Sequence, residues 1–117
     1  TREVDQQARY VEALIAFQAQ DDQRATELLE NLTEDHPSYA PGWIALGDLY
    51  AMQGRSVAAR RVLEQGLSQV DRQLARAQAR LSAGDAMSIE EYSSIQLDIE
   101  RLEQQRKIAL DLLAGLP

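Results

Sequence analysis

Histidine, the side chain best suited to moving protons near neutral pH, occurs once, at His36. It lies in an Asp35-His36-Pro37 segment between helical stretches and reads as a turn residue, not as a ligand or an acid–base group. Asp21-Asp22 and Glu34-Asp35 are paired carboxylates, the raw material of shared protons and cation sites. Adjacent acids at helix ends are better explained as caps and partners of the helix dipole. Arg72, Arg76 and Arg80 form an i, i+4 stripe of the kind that binds phosphate or an acidic peptide. Glu90, Glu91, Asp98, Glu100 and Glu103 follow downstream, so the stripe reads instead as one half of a set of solvated flanking pairs. There is no glycine-rich phosphate loop and no Ser-His-Asp set. Cysteine is absent, which removes disulfides and thiolate metal sites. The expectation is no catalytic residue, no cofactor and no metal: the chain is not an enzyme.

What remains is a question of shape. The 117 residues make one domain with 44% apolar residues, and the net charge of −7 argues against nucleic-acid or anionic-membrane partners. No apolar run approaches the roughly 20 residues that span a bilayer, so no membrane insertion is expected. No signal-peptide pattern is visible, and a chain opening on Thr1 reads as a piece of something longer. The compartment stays open between cytoplasm and periplasm.

The patterning is helical nearly throughout. Val4, Ala8, Val11, Leu14 and Ile15 recur at helical spacing and predict a first helix from about residue 3 to 19. Asp21 or Asp22 caps a second, carried by Ala25, Leu28, Leu29 and Leu32 and broken at Asp35-His36-Pro37-Ser38. A third begins near Tyr39–Pro41 and ends before Gly54, and Ser56 caps a fourth.

That fourth helix lacks a stop where one would be expected. Leu63, Leu67, Val70, Leu74, Ala77 and Leu81 continue on a heptad rhythm until Gly84-Asp85. Ser88 with Glu91 three residues on makes a capping box for a last helix, whose seam is Tyr92, Ile95, Ile99, Leu102, Arg106, Ala109 and Leu113. Residues 58–82 and 89–113 should therefore form an antiparallel hairpin. A turn at Gly84-Asp85 sets Val70 near Ile99, Leu74 near Ile95, Arg72 near Asp98 and Arg80 near Glu90-Glu91. Leu97, Ile108, Leu110, Leu112 and Leu116 lie off this seam and either fold back on the preceding helices or meet another chain.

One spaced set is more specific than any of these. Trp43, Leu46, Gly47, Tyr50, Gly54, Ala59 and Leu63 stand as W-x2-LG-x2-Y followed by A-x3-L. Trp43 and Leu46 place large groups on one side of a helix, and Gly47 removes a side chain where a partner helix comes close. Trp43 is expected to pack between the two helices as core. The set resembles the tetratricopeptide repeat family. Sliding the sequence by the family period of about 34 residues puts Ala59 on Ala25, Leu63 on Leu29, Gly47 on Ala13 and Tyr50 on Ala16. The copies run near 6–39 and 40–73. The first is degenerate, with Arg9 in place of Trp and Glu12 in place of Leu, as suits a terminal repeat. Residues 74–117 form the extended helical hairpin that caps them.

The resemblance implies an all-α fold of two helix-turn-helix repeats followed by that hairpin, acting as a protein-interaction module within a larger bacterial protein or complex. In this family the inner face of each repeat's first helix lines a concave groove. Carried over, those positions are Gln7, Tyr10, Leu14, Phe17 and Gln18 in the first repeat, and Pro41, Ile44, Asp48, Ala51 and Met52 in the second. The carboxylate clamp of some members is absent, since Tyr10, Leu14, Ile44 and Asp48 occupy the matching places. The expected site is an apolar strip for a protein or peptide, open or covered by the chain's own hairpin. Two other functions stay open: homo-oligomerisation through the long C-terminal helices, and an accessory role beside a catalytic part outside this chain.

Overall fold

The computed structural model describes residues 1–83 and 86–117. Among them are five helices in chain order: α1 (Arg2–Gln18), α2 (Asp22–Asp35), α3 (Ala40–Met52), α4 (Ser56–Ser82) and α5 (Ile89–Ala114). The proposed stop at Gly84-Asp85 lies outside the described residues. No helix among those described is long and apolar enough to cross a membrane.

Each connection has a local cause. Asp21 caps α2, its carboxylate accepting from the Arg24 N–H, while Pro37 closes the segment beyond α2. Tyr39 precedes α3, whose Pro41 sits in the first turn where a missing N–H costs nothing. Between α3 and α4 the chain reverses through Gly54 at φ +76°, a left-handed conformation that favours glycine. Ser56 does not cap α4: it is the first helical residue, and Arg55 holds the cap position without a side-chain hydrogen bond. Ser88 does cap α5, its Oγ accepting from the Glu91 N–H at 3.1 Å.

The core runs through both helical pairs. Ala13, Ala16, Ala25, Leu29 and Leu32 from α1 and α2 join Leu46, Leu49, Tyr50, Ala59 and Val62 from α3 and α4 in one buried cluster. Gly47 decides how closely α3 and α4 approach, because a Cβ placed there would overlap Leu63 Cγ and Cδ2. Gly66 does the same from the α4 side, where a Cβ would stand 2.9 Å from Trp43 Cβ. Trp43 itself is only half-buried: its ring packs against the core and its Nε1–H donates to the Pro37 carbonyl at 2.8 Å.

α1 packs by its smaller side chains. The apolar positions that predict the helix are mostly on its outside, with Val4 62%, Val11 51% and Ile15 60% exposed, and the buried residues are Ala13 and Ala16. Small residues let α2 come close, so the face with less apolar bulk is the one that packs.

α4 and α5 pack along each other in opposite directions, in a register different from that expected. Val70, fully buried, clusters with Ala40 and Leu102, with Leu74 beside them, instead of meeting Ile99. The buried line on α5 is Ile95, Leu102 and Ala109, and Ile99 is half-buried at its edge. Leu102 lies one turn further along α5 than Ile99, so the buried partner of Val70 is displaced by about one turn. The charges shift with it. Among the described residues the ion pair across the hairpin is Arg106 to Asp71 at 3.0 Å, Asp98 is held by Arg101 on its own helix, and Arg72, Arg76 and Arg80 do not pair with Asp98, Glu90 or Glu91.

Candidate functional site

Three helices present their inner faces to one another: α1, α3 and the C-terminal half of α5. Side chains from α1 and α3 emerge at helical spacing toward a common hollow of about 250 Å³, and Ile108 and Leu112 of α5 form its far wall. Tyr10, Leu14, Phe17, Ile44, Asp48 and Met52, all expected from the sequence, line it together. Gln18 does not: it is exposed at the end of α1. Ala51 turns toward the core instead. The hollow is neither sealed nor fully open. Ile44 is 9% exposed and serves as floor, whereas Leu14, Phe17 and Met52 are 38%, 37% and 58% exposed and form the mouth. Asp48 is the one charged side chain in the lining among the described residues.

Beyond a pair of tyrosines the character of the surface changes. The Tyr10 and Tyr39 rings meet edge to face at 5.9 Å, and burial raises both phenols above their ordinary pKa. On the far side lies a polar cleft of about 610 Å³ that includes Gln6, Gln7, Pro41, Gln73, Arg76 and Arg101. Gln7 and Pro41 thus belong to the groove side of the molecule but to its polar end.

The remaining polar groups are structural. His36 ends α2, and its Nε2 is 2.7 Å from Asp5 Oδ2 while Nδ1 faces the Gln6 amide at 3.4 Å, which ties the start of α1 to the linker before α3. Hydrogen bonding to His36, helped by the Arg9 charge, holds the Asp5 carboxyl below its ordinary pKa. The Tyr50 hydroxyl donates to Glu30 Oε2 at 2.5 Å, and its pKa is raised by burial and by that acid. No group of three or more His, Asp or Glu side chains among the described residues is arranged to hold a metal ion.

The helical pairs, their shared hollow and the glycine contact at Gly47 are the geometry of a helical repeat, and a tetratricopeptide repeat family model matches residues 16–82, more than half of the sequence. The chain belongs to the tetratricopeptide repeat family. Among solved structures, a tetratricopeptide repeat domain protein from Salinibacter ruber matches with a TM-score of 0.56 at 25% identity, over 92% of this chain and 98% of that one. No curated protein sequence matches significantly. The all-α, tetratricopeptide-like helical repeat fold follows, and with it a domain of the kind that is typically a non-catalytic scaffold for protein–protein contacts.

Two contributions to this tetratricopeptide groove escape the repeat pattern. Ile108 and Leu112 stand out in the sequence as apolar residues off the α5 seam, but their position against α3 depends on the register of the hairpin. Leu116 likewise folds back onto the core of the repeats.

Proposed function

We propose that this domain is a protein-interaction module, with repeats near 6–39 and 40–73 and a capping hairpin over 74–117 in one domain, within a larger bacterial protein or complex. Its contact surface is the hollow between α1, α3 and α5. The observation that supports this reading is the convergence of Leu14, Phe17 and Met52, all with substantial exposure, around the buried Ile44 floor. An apolar side chain of a partner entering there loses contact with water at about 25 cal/mol per Å². Asp48 on the rim favours a partner segment that also carries a Lys or Arg.

Oligomerisation through the long helices has weaker support, because the α5 seam residues Ile95, Leu102 and Ala109 are already buried within the chain. The test is selection of binders from a displayed random-peptide library, followed by affinity measurement on a Phe17→Ala/Met52→Ala double variant. The double variant is expected to keep its melting temperature within a few degrees and to lose about tenfold or more in affinity. Binders with apolar and basic residues are expected. Binders whose affinity is unchanged on the variant place the contact surface elsewhere.

A further inference from the structure

The arginine stripe of α4 lacks the partners that the sequence offers it. Arg72, Arg76 and Arg80 are exposed, and among the described residues no carboxylate lies within ion-pair reach of any of them. Arg76 differs from the other two in its place. It borders the polar cleft beyond the Tyr10–Tyr39 pair together with Arg101 of α5, whereas Arg72 and Arg80 do not. α4 continues past residue 73, where the proposed second repeat ends, and its added turns supply this wall of the cleft.

The other walls are the first turns of α1, the segment leading into α3, and α5. Gln73 ties two of them together, its Nε2–H donating to the Ser38 carbonyl at 2.7 Å. Gln7 of α1 and Gln105 of α5 also line the cleft, and neither side chain has a hydrogen-bond partner among the described residues. An amide side chain carries both donors and an acceptor, which are the groups that hold an extended peptide backbone.

Charge selects the side chain that such a backbone brings. Asp98 in the cleft is engaged by Arg101 at 3.3 Å, and Glu3 stands in the first turn of α1, where the helix dipole offsets an acid. Burial raises the pKa of the Tyr39 phenol and the Arg101 charge pulls against it, so that charge is felt inside the cleft. Two acids beside two bases, in a chain of net charge −7, disfavour a dianion such as phosphate. One carboxylate suits the balance, and the guanidinium fork of Arg76 can receive it.

We propose that this cleft binds an extended peptide segment of a partner protein through one Glu or Asp, with Arg76 receiving the carboxylate and Gln7 and Gln105 holding the backbone. The site is separate from the concave hollow and does not depend on its being occupied.

The probes are short blocked Ser/Ala peptides with Glu, Gln, Lys or phosphoserine at the centre. They are titrated into isotope-labelled protein while NMR follows the Nε–H signals of the arginine side chains. The Glu peptide is expected to shift the Arg76 signal saturably, and the Gln peptide to bind about fivefold or more weakly. The Lys and phosphoserine peptides should bind no better than the Gln peptide. Arg76→Gln should weaken the Glu peptide by a similar factor with an unchanged circular-dichroism melt, and Gln105→Ala should weaken the Glu and Gln peptides alike. Arg80→Gln removes the same charge one turn away, outside the cleft, and should leave binding as it is. Phe17→Ala/Met52→Ala should also leave it as it is, which separates this site from the hollow. Equal weakening by Arg76→Gln and Arg80→Gln overturns the proposal, since general attraction would then suffice. So do tighter binding of the phosphoserine peptide, equal binding of Glu and Gln peptides, or no saturable shift at Arg76.

Discussion

The two helical pairs solve the same packing problem with different chemistry. In α3–α4, Gly47 admits Leu63, Gly66 admits Trp43, and the interface is closed by fit. In α1–α2 the equivalent of Gly47 is Ala13, and the places of Trp43 and Leu46 are taken by Arg9 and Glu12. These reach across to the second helix, Arg9 to Asp35 at 2.9 Å and Glu12 to Arg24 at 3.4 Å. Apolar interdigitation of the kind made by Gly47 with Leu63 and Gly66 with Trp43 needs cover on both sides, whereas half-exposed ion pairs tolerate water. The first pair carries a repeat's backbone geometry while leaving its edges wet, so the same fold is kept with less of its stability in close packing.

The largest effect should come from the tight contact. Leu63→Ala is expected to cost about 2–5 kcal/mol, since Leu63 is fully buried. Gly47→Ala should cost about 1–3 kcal/mol by overpacking, despite alanine's better helix propensity. Combined, the two changes should cost less than their sum, because removing the leucine side chain makes room for the added methyl. Thermal or urea unfolding of all three variants checks this, and strict additivity would show that Gly47 and Leu63 do not share the contact. A smaller effect is expected in the first pair. Arg9→Met should change stability by no more than about 1 kcal/mol at low salt, with the difference from the parent shrinking as ionic strength rises. A loss as large as that of Leu63→Ala would erase the contrast between the pairs.

The smallest effect concerns pH. Asp5 has a folded pKa below its ordinary value, chiefly through its hydrogen bond with His36. Its contribution is therefore complete above the ordinary carboxylate value of about 3.9 and is lost as pH falls through the lower folded value. Asp5→Asn should remove a small part of the acid limb of the stability profile and leave the neutral-to-alkaline part flat. A change outside the acid limb would show that Asp5 is not the group responsible.

Much of this architecture was legible in the residues, and the failures are instructive. Trp43, Gly47, Tyr50 and Ala59 announce their helices because steric fit demands particular residue types at particular offsets. Periodicity located α1 but not its orientation: Val4, Val11 and Ile15 make the stronger apolar line, yet Ala13 and Ala16 permit the closer approach. The hairpin was visible from its two seams, whereas its register was not: the buried line on α5 runs through Ile95, Leu102 and Ala109, and heptad spacing alone does not distinguish it from one through Ile99. Gly66 was overlooked although a glycine inside a 27-residue helix is costly enough to need a reason. The groove side chains were placed by family resemblance; Ile108 and Leu112 could join them only once the register was known.

The half-buried indole of Trp43 has an optical consequence. It is the only tryptophan in the chain, its nitrogen bound to the Pro37 carbonyl at the junction of the two pairs and its Cβ lodged beside Gly66. Intrinsic fluorescence excited in the indole band therefore reports on one place, the joint between the repeats. Since Trp43 lies among side chains of α2, α3 and α4 and does not line the concave hollow, a spectral shift is expected to follow the parting of those helices more than occupation of the hollow.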